Sequence, residues 1–120
     1  MGMGLMDIQR YQLEFDKKYF GDHWGGEMDL DLKINLIKDM TIALTGEVGE
    51  FSNLLKKINR DRKTIGEEPS SEMWNRLKEE LTDCFIYIII LSNILGMDLE
   101  KEYLKKTKIN HKRFQKYLKK

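Results

Sequence analysis

Leu77-Lys78-Glu79-Glu80-Leu81-Thr82-Asp83-Cys84-Phe85-Ile86-Tyr87-Ile88-Ile89-Ile90-Leu91-Ser92-Asn93-Ile94-Leu95-Gly96 is the stretch on which the fold of this 120-residue chain turns. Its centre, residues 84–91, is apolar and rich in β-branched side chains, and in isolation it reads as a buried strand. The flanks on both sides continue a helical period, so the whole segment reads as one helix. Ser70 or Ser71 caps its start and Gly96 stops it. Unbroken apolarity in a helix means burial around several sides, as at the centre of a bundle or a subunit interface.

The same reading extends outward. Asp98 caps a fourth helix over 99–117. Upstream, residues 60–71 combine charge with Gly66 and Pro69 and read as an internal loop. A second helix spans about 30–59, with an apolar face of Ile34, Ile37, Thr41, Leu44, Val48, Phe51, Leu55 and Ile58, and with a kink or close contact expected near Gly46 and Gly49. Gly21 and Gly25-Gly26 bound a loop carrying His23 and Trp24. A first helix covers 6–20, with Ile8, Tyr11 or Gln12, Phe15 and Tyr19 recurring at helical spacing. No convincing strand and no internal repeat emerge. The expected fold is all-α, a four-helix bundle in a single domain, 1–120, completed by homo-oligomerisation and ending in a frayed basic tail at 118–120.

Composition narrows the function. A single cysteine, Cys84, in an apolar run suggests a reducing compartment, and the N-terminus lacks the pattern of a secretory signal, so cytoplasm is the expected location. The longest apolar run is too short to span a bilayer. The net charge of +1 hides an asymmetry: residues 101–120 carry nine Lys or Arg and one acid, Glu102. The acidic remainder disfavours a long nucleic acid as partner. A small phosphate-bearing anion suits a local basic helix better.

Two acid pairs carry the chemistry: Glu47-Val48-Gly49-Glu50 and Glu80-Leu81-Thr82-Asp83. Residues three apart share one helix face. Carboxylates aimed into a helical core need a positive partner, and a divalent metal holding a phosphate is the simplest one. The plain alternative is two solvated surfaces, with Glu47 and Glu50 facing water. A di-iron bundle would want Glu-x-x-His motifs, and neither pair offers a histidine. Lys106, Asn110 and Arg113 share one face of the last helix. Trp24 either stacks on a base or covers the bundle end.

Four segments then add up in order. Ala43-Leu44-Thr45-Gly46-Glu47-Val48-Gly49-Glu50-Phe51 resembles the first signature of the MazG-like all-alpha nucleoside triphosphate pyrophosphohydrolases. Residues 79–87 resemble the second, residues 95–100 the turn into the last helix, and Lys106-Thr107-Lys108-Ile109-Asn110-His111-Lys112-Arg113-Phe114 the last signature. The first segment especially resembles the dCTP pyrophosphatase branch. Where that branch places an aromatic residue, this chain reads Leu54-Leu55-Lys56-Lys57.

The resemblance implies hydrolysis of a nucleoside or deoxynucleoside triphosphate to monophosphate and pyrophosphate. It implies Mg2+, with Mn2+ as a substitute, on Glu47, Glu50, Glu80 and Asp83, with Asn110 assisting at the metal and phosphate. It implies phosphate contacts from Lys106 and Arg113, and a homodimer or dimer of dimers with a pocket shared between chains. A noncatalytic nucleotide-binding bundle is the competing reading.

Overall fold

The structure, a computed structural model, describes residues 2–118. Polar side chains set the helix starts. In α1, Leu5–Phe20, the Asp7 carboxylate accepts from the Gly4 N–H at 3.0 Å. Asp29 caps α2, Leu30–Ile65, by accepting from the Leu32 N–H at 2.8 Å. Ser70 caps α3, Ser71–Ile94, through the Met73 N–H, and Asp98 caps α4, Leu99–Phe114, through the Lys101 N–H. Short 3-10 turns occupy Asp22–Gly25 and Gln115–Tyr117. Residues 84–91 lie wholly inside α3, and the fold is an all-α four-helix bundle. Of the tail expected to fray at 118–120, Leu118 is exposed, and Lys119 and Lys120 lie outside the described residues.

The expected loop at 60–71 is largely helix. α2 runs on to Ile65, and only residues 66–70 connect it to α3. No breaker stands between residues 60 and 65, and Arg62 and Lys63 suit the negative end of a helix dipole. Gly66 then ends the helix in the left-handed region at φ 65°, its N–H directed to the Arg62 and Asp61 carbonyls. The charge run was a solvated helix face. Gly46 and Gly49 likewise sit in unbroken helix, and a Cβ at either would meet open space within this chain.

So short a connection makes α2 and α3 an antiparallel hairpin. Leu54 and Ile58 of α2 pack on Leu77 of α3, with Phe51 and Met73 against them. Following this register two helical turns beyond Leu54 and Leu77 sets Glu47 opposite Asp83 and Cys84. The inward face of α2 is therefore rotated from the expected one: Thr41, Val48 and Leu55 are exposed, while Leu54 is buried and Glu47 half-buried.

α1 also departs from expectation. Tyr11, Phe15 and Tyr19 are exposed, whereas Gln9 and Asp16 are buried. Gln9 explains part of this. Its Nε2 donates to Ser92 Oγ at 2.9 Å and to the Met97 carbonyl at 2.8 Å, and its Oε1 accepts from the Leu99 N–H at 3.1 Å. One buried amide thus ties α1 to the corner between α3 and α4. At that corner Gly96 takes φ 66° and α4 leaves α3 at 101°.

The result is an open molecule. Its radius of gyration is 18.7 Å, against about 14 Å for a compact domain of this length. Its accessible surface is 9657 Å², against about 6,800 Å² for a monomer of its mass. Trp74, Leu81, Phe85, Ile88 and Leu95 form an exposed apolar stripe along α3 at spacings of seven, four, three and seven.

Leu77→Ala should lower the unfolding free energy by about 2–5 kcal/mol, read by urea denaturation at fixed protein concentration. A change near zero would mean that the α2–α3 seam is not the core.

Candidate functional site

The hairpin register carries the acids. Glu47 continues the α2 face that holds Phe51, Leu54 and Ile58. Glu80 and Asp83 continue the α3 face that holds Met73 and Leu77. Glu47, Glu80 and Asp83 each offer a carboxylate oxygen, and these three oxygens lie within 4.8 Å of one another. All three residues are half-buried. Oε2 of Glu47 and of Glu80 are buried with no hydrogen-bond partner among the described residues. Glu50 is exposed and stands beside Glu80.

Crowding shows in the protonation of Glu80. Its carboxyl is held above the usual 4.5, chiefly by the adjacent Glu47 carboxyl, then by burial, while Glu50 pulls the other way. Cys84, buried next to Asp83, is pushed up as well, first by burial and then by the surrounding carboxylates. It is a packed thiol and not an activated nucleophile.

Two cavities flank the acids. The larger, about 580 Å³, has Glu47 and Asp83 at one end and Trp24, Phe15, Phe20 and Tyr87 among its walls. The smaller, about 380 Å³, is polar and lies on the Glu50 and Glu80 side, with Asn53, Lys57 and Arg76. The acids therefore stand between an aromatic chamber and a polar one that also holds Lys57 and Arg76. Trp24, half-buried in the 3-10 turn, lines the aromatic chamber.

The donor set fits a hard divalent cation. It is all oxygen, its charges have no cationic partner among the described ion pairs, and its orphaned oxygens converge.

The last helix stands elsewhere. α4 packs on α1 and has no substantial contact with α2. Lys106 and Arg113 are exposed, and Asn110 is half-buried with a buried Oδ1 that lacks a partner. None of the three lines either chamber beside the acids. Asp16, Gln12, Lys57 and Arg76 were not anticipated. Arg76 lies one turn before Glu80 and Lys57 two turns after Glu50, a spacing that marks shared faces but not which faces meet.

Residues 37–115 match the MazG nucleotide pyrophosphohydrolase domain. The chain belongs to that family. Similar proteins include dCTP pyrophosphatase 1 of Homo sapiens, 32% identical over 119 residues, 95% of this chain and 61% of that one. The Bos taurus dCTP pyrophosphatase 1 is 30% identical over 115 residues, covering 92% of this chain and 59% of the relative. The chain thus spans about three fifths of the length of these curated relatives. No single helix among the described residues is long and apolar enough to cross a membrane.

Because Glu80 titrates above 4.5 in the folded chain, the folded state holds a proton that the unfolded state has released. Stability then falls as pH rises through the raised value. In chelator, Glu80→Gln should melt above wild type at pH 7–8, and the difference should close below 4.5, where both states are protonated. A pH-independent difference would place Glu80 away from the other carboxylates.

Proposed function

We propose that this chain is a divalent-metal-dependent nucleotide pyrophosphohydrolase, converting a nucleoside or deoxynucleoside triphosphate to its monophosphate and pyrophosphate. The observation that carries this reading is the convergence of Glu47, Glu80 and Asp83, with unpartnered oxygens on the two glutamates, between an aromatic chamber and a polar one that holds Lys57 and Arg76.

The chambers give the substrate a direction. A base enters between Trp24 and the other rings of the larger chamber. The outer phosphates lie toward Lys57 and Arg76, whose charges offset those of the leaving pyrophosphate. The reacting α-phosphorus then sits at the acids. Glu47, Glu80 and Asp83 would hold Mg2+, or Mn2+ in its place, and such an ion would neutralise phosphate oxygens and acidify water. Glu50 supplies the fourth carboxylate at the mouth, where it can bind the ion or accept the proton of the attacking water. Water adds to the α-phosphorus, the bond to the bridging oxygen breaks, and pyrophosphate leaves.

The 120 residues act in this reading as one helical domain in the cytoplasm, on a small nucleotide and not on nucleic acid. The active unit is at least a homodimer, with a dimer of dimers allowed. The α3 stripe of Trp74, Leu81, Phe85, Ile88 and Leu95 supports self-association. So does a surface about 2,900 Å² larger than a compact monomer needs, ample for a standard interface of about 800 Å² per partner. The row of Lys106, Asn110 and Arg113, remote from the acids of its own chain, serves the acids of a neighbour.

Incubation with magnesium should release pyrophosphate and monophosphate. Orthophosphate and diphosphate as first products would refute the reaction. Glu47→Gln, Glu50→Gln, Glu80→Gln and Asp83→Asn should each lower turnover by at least about 100-fold with helix content preserved.

The shared site has its own test. Glu80→Gln and Arg113→Ala chains, each inactive alone, are mixed in equal amounts and allowed to exchange. Random pairing should restore about a quarter of wild-type activity, because half of the pairs contain one intact site in two. No restoration, with exchange shown by mass, would place the whole site within one chain.

A further inference from the structure

Asp16 is not used by the metal chemistry. It is 2% exposed, a charged side chain at the depth of the core. Its Oδ1 accepts from Gln12 Nε2 at 3.0 Å, one helical turn away. Its Oδ2 is buried and has no hydrogen-bond partner among the described residues. Both Asp16 and Gln12 line the aromatic chamber that ends at Glu47 and Asp83. A buried carboxylate oxygen without a donor is costly, and such atoms call for an explanation beyond packing. Burial also holds the Asp16 carboxyl above its ordinary range, with Gln12 opposing the shift. A donor arriving with a ligand would relieve both costs.

We propose that Asp16, braced by Gln12, accepts a hydrogen bond from the exocyclic amino group of the nucleotide base, so that the site prefers amino-bearing bases to their oxo counterparts. The assignment rests on the pyrophosphohydrolase reading and names its substrate class. With phosphates held at the acids, the far part of the same chamber receives the base. The rings of Phe15, Phe20 and Trp24 offer faces for a planar heterocycle and carry no acceptor for an amino group. Asp16 Oδ2 is a buried acceptor in that wall with no hydrogen-bond partner among the described residues. A cytosine-type or adenine-type amino group satisfies it. A uracil-type or hypoxanthine-type carbonyl sets a second acceptor against it and leaves both oxygens unpaired. Gln12 fixes which oxygen is free by occupying the other.

The test uses the full chain with magnesium and two matched pairs, dCTP with dUTP and dATP with dITP. Turnover is followed by pyrophosphate release, and binding by calorimetry with the α,β-methylene analogues of the same four nucleotides. Wild type should favour the amino member of each pair by roughly 10- to 100-fold, the worth of one hydrogen bond to a charged acceptor. Asp16→Asn, isosteric and able to donate as well as accept, should bring both ratios within about threefold of unity, largely through better use of the oxo members. Gln12→Met keeps the carboxylate but frees its orientation. It should weaken the preference through KM, with kcat retained.

Ratios near one in wild type, or ratios unchanged in Asp16→Asn, would overturn the assignment. An equal loss for all four nucleotides would also overturn it, pointing to a structural or metal-binding aspartate. The binding arm reads base selection without turnover. An amino preference in binding together with orthophosphate release would refute the reaction and leave the base assignment standing. Pyrophosphate release without base preference would do the reverse.

Discussion

The packing of Leu54 and Ile58 against Leu77 is the constraint on which the rest depends. Five residues connect α2 to α3, so the two helices lie antiparallel, and this small apolar seam fixes their register. Once it is set, the next two turns of each helix have no freedom: Glu47 must meet Glu80 and Asp83. The acids occupy positions that would otherwise hold core side chains, and their mutual repulsion, which raises the Glu80 pKa, would be offset by a bound cation. Their rigidity comes from two long helices and not from a loop, which suits a site that must hold ligands to fractions of an ångström.

Around that seam the molecule divides its tasks. α1 turns a polar face inward. Gln9 uses that face to lock the α3–α4 corner, and Gln12 and Asp16 use it to furnish the aromatic chamber. The cations Lys57 and Arg76 lie on the opposite side of the acids. The 101° corner carries α4 away from its own acids. In the proposed dimer, association that covers the bare apolar stripe of α3 would also bring the polar row of α4 to a neighbour's acids.

Much of this was legible from local chemistry. The i,i+3 acid pairs needed only helical geometry to be read as shared faces. The flanks of residues 84–91 decided helix over strand because β-branched residues are tolerated in a helix whose ends are well specified. Ser70 and Asp98 marked helix starts by their capping chemistry. The failures have a common cause. Periodicity finds residues that share a face but not which face turns inward once helices cross. α2 therefore hides Leu54 and Glu47 where Val48 and Leu55 were expected. α1 inverts the usual rule, because hydrogen bonds to residues more than eighty positions away make Gln9 a core residue. Asp16 gave no signal at all: a lone acid in a charged helix looks like surface until its burial is seen. Residues 60–65 looked like loop because charge was read as irregularity.

In the proposed mechanism the α2–α3 acids form one divalent-cation site. Direct titration with Mn2+, followed by electron paramagnetic resonance of the free ion, measures this without relying on turnover. Wild type should remove Mn2+ from solution saturably, Mg2+ should displace it, and the doubly substituted Glu80→Gln, Asp83→Asn chain should lose that binding while keeping its helix content. Equal Mn2+ uptake by the two chains would contradict the account, and the carboxylates would then be a solvated surface.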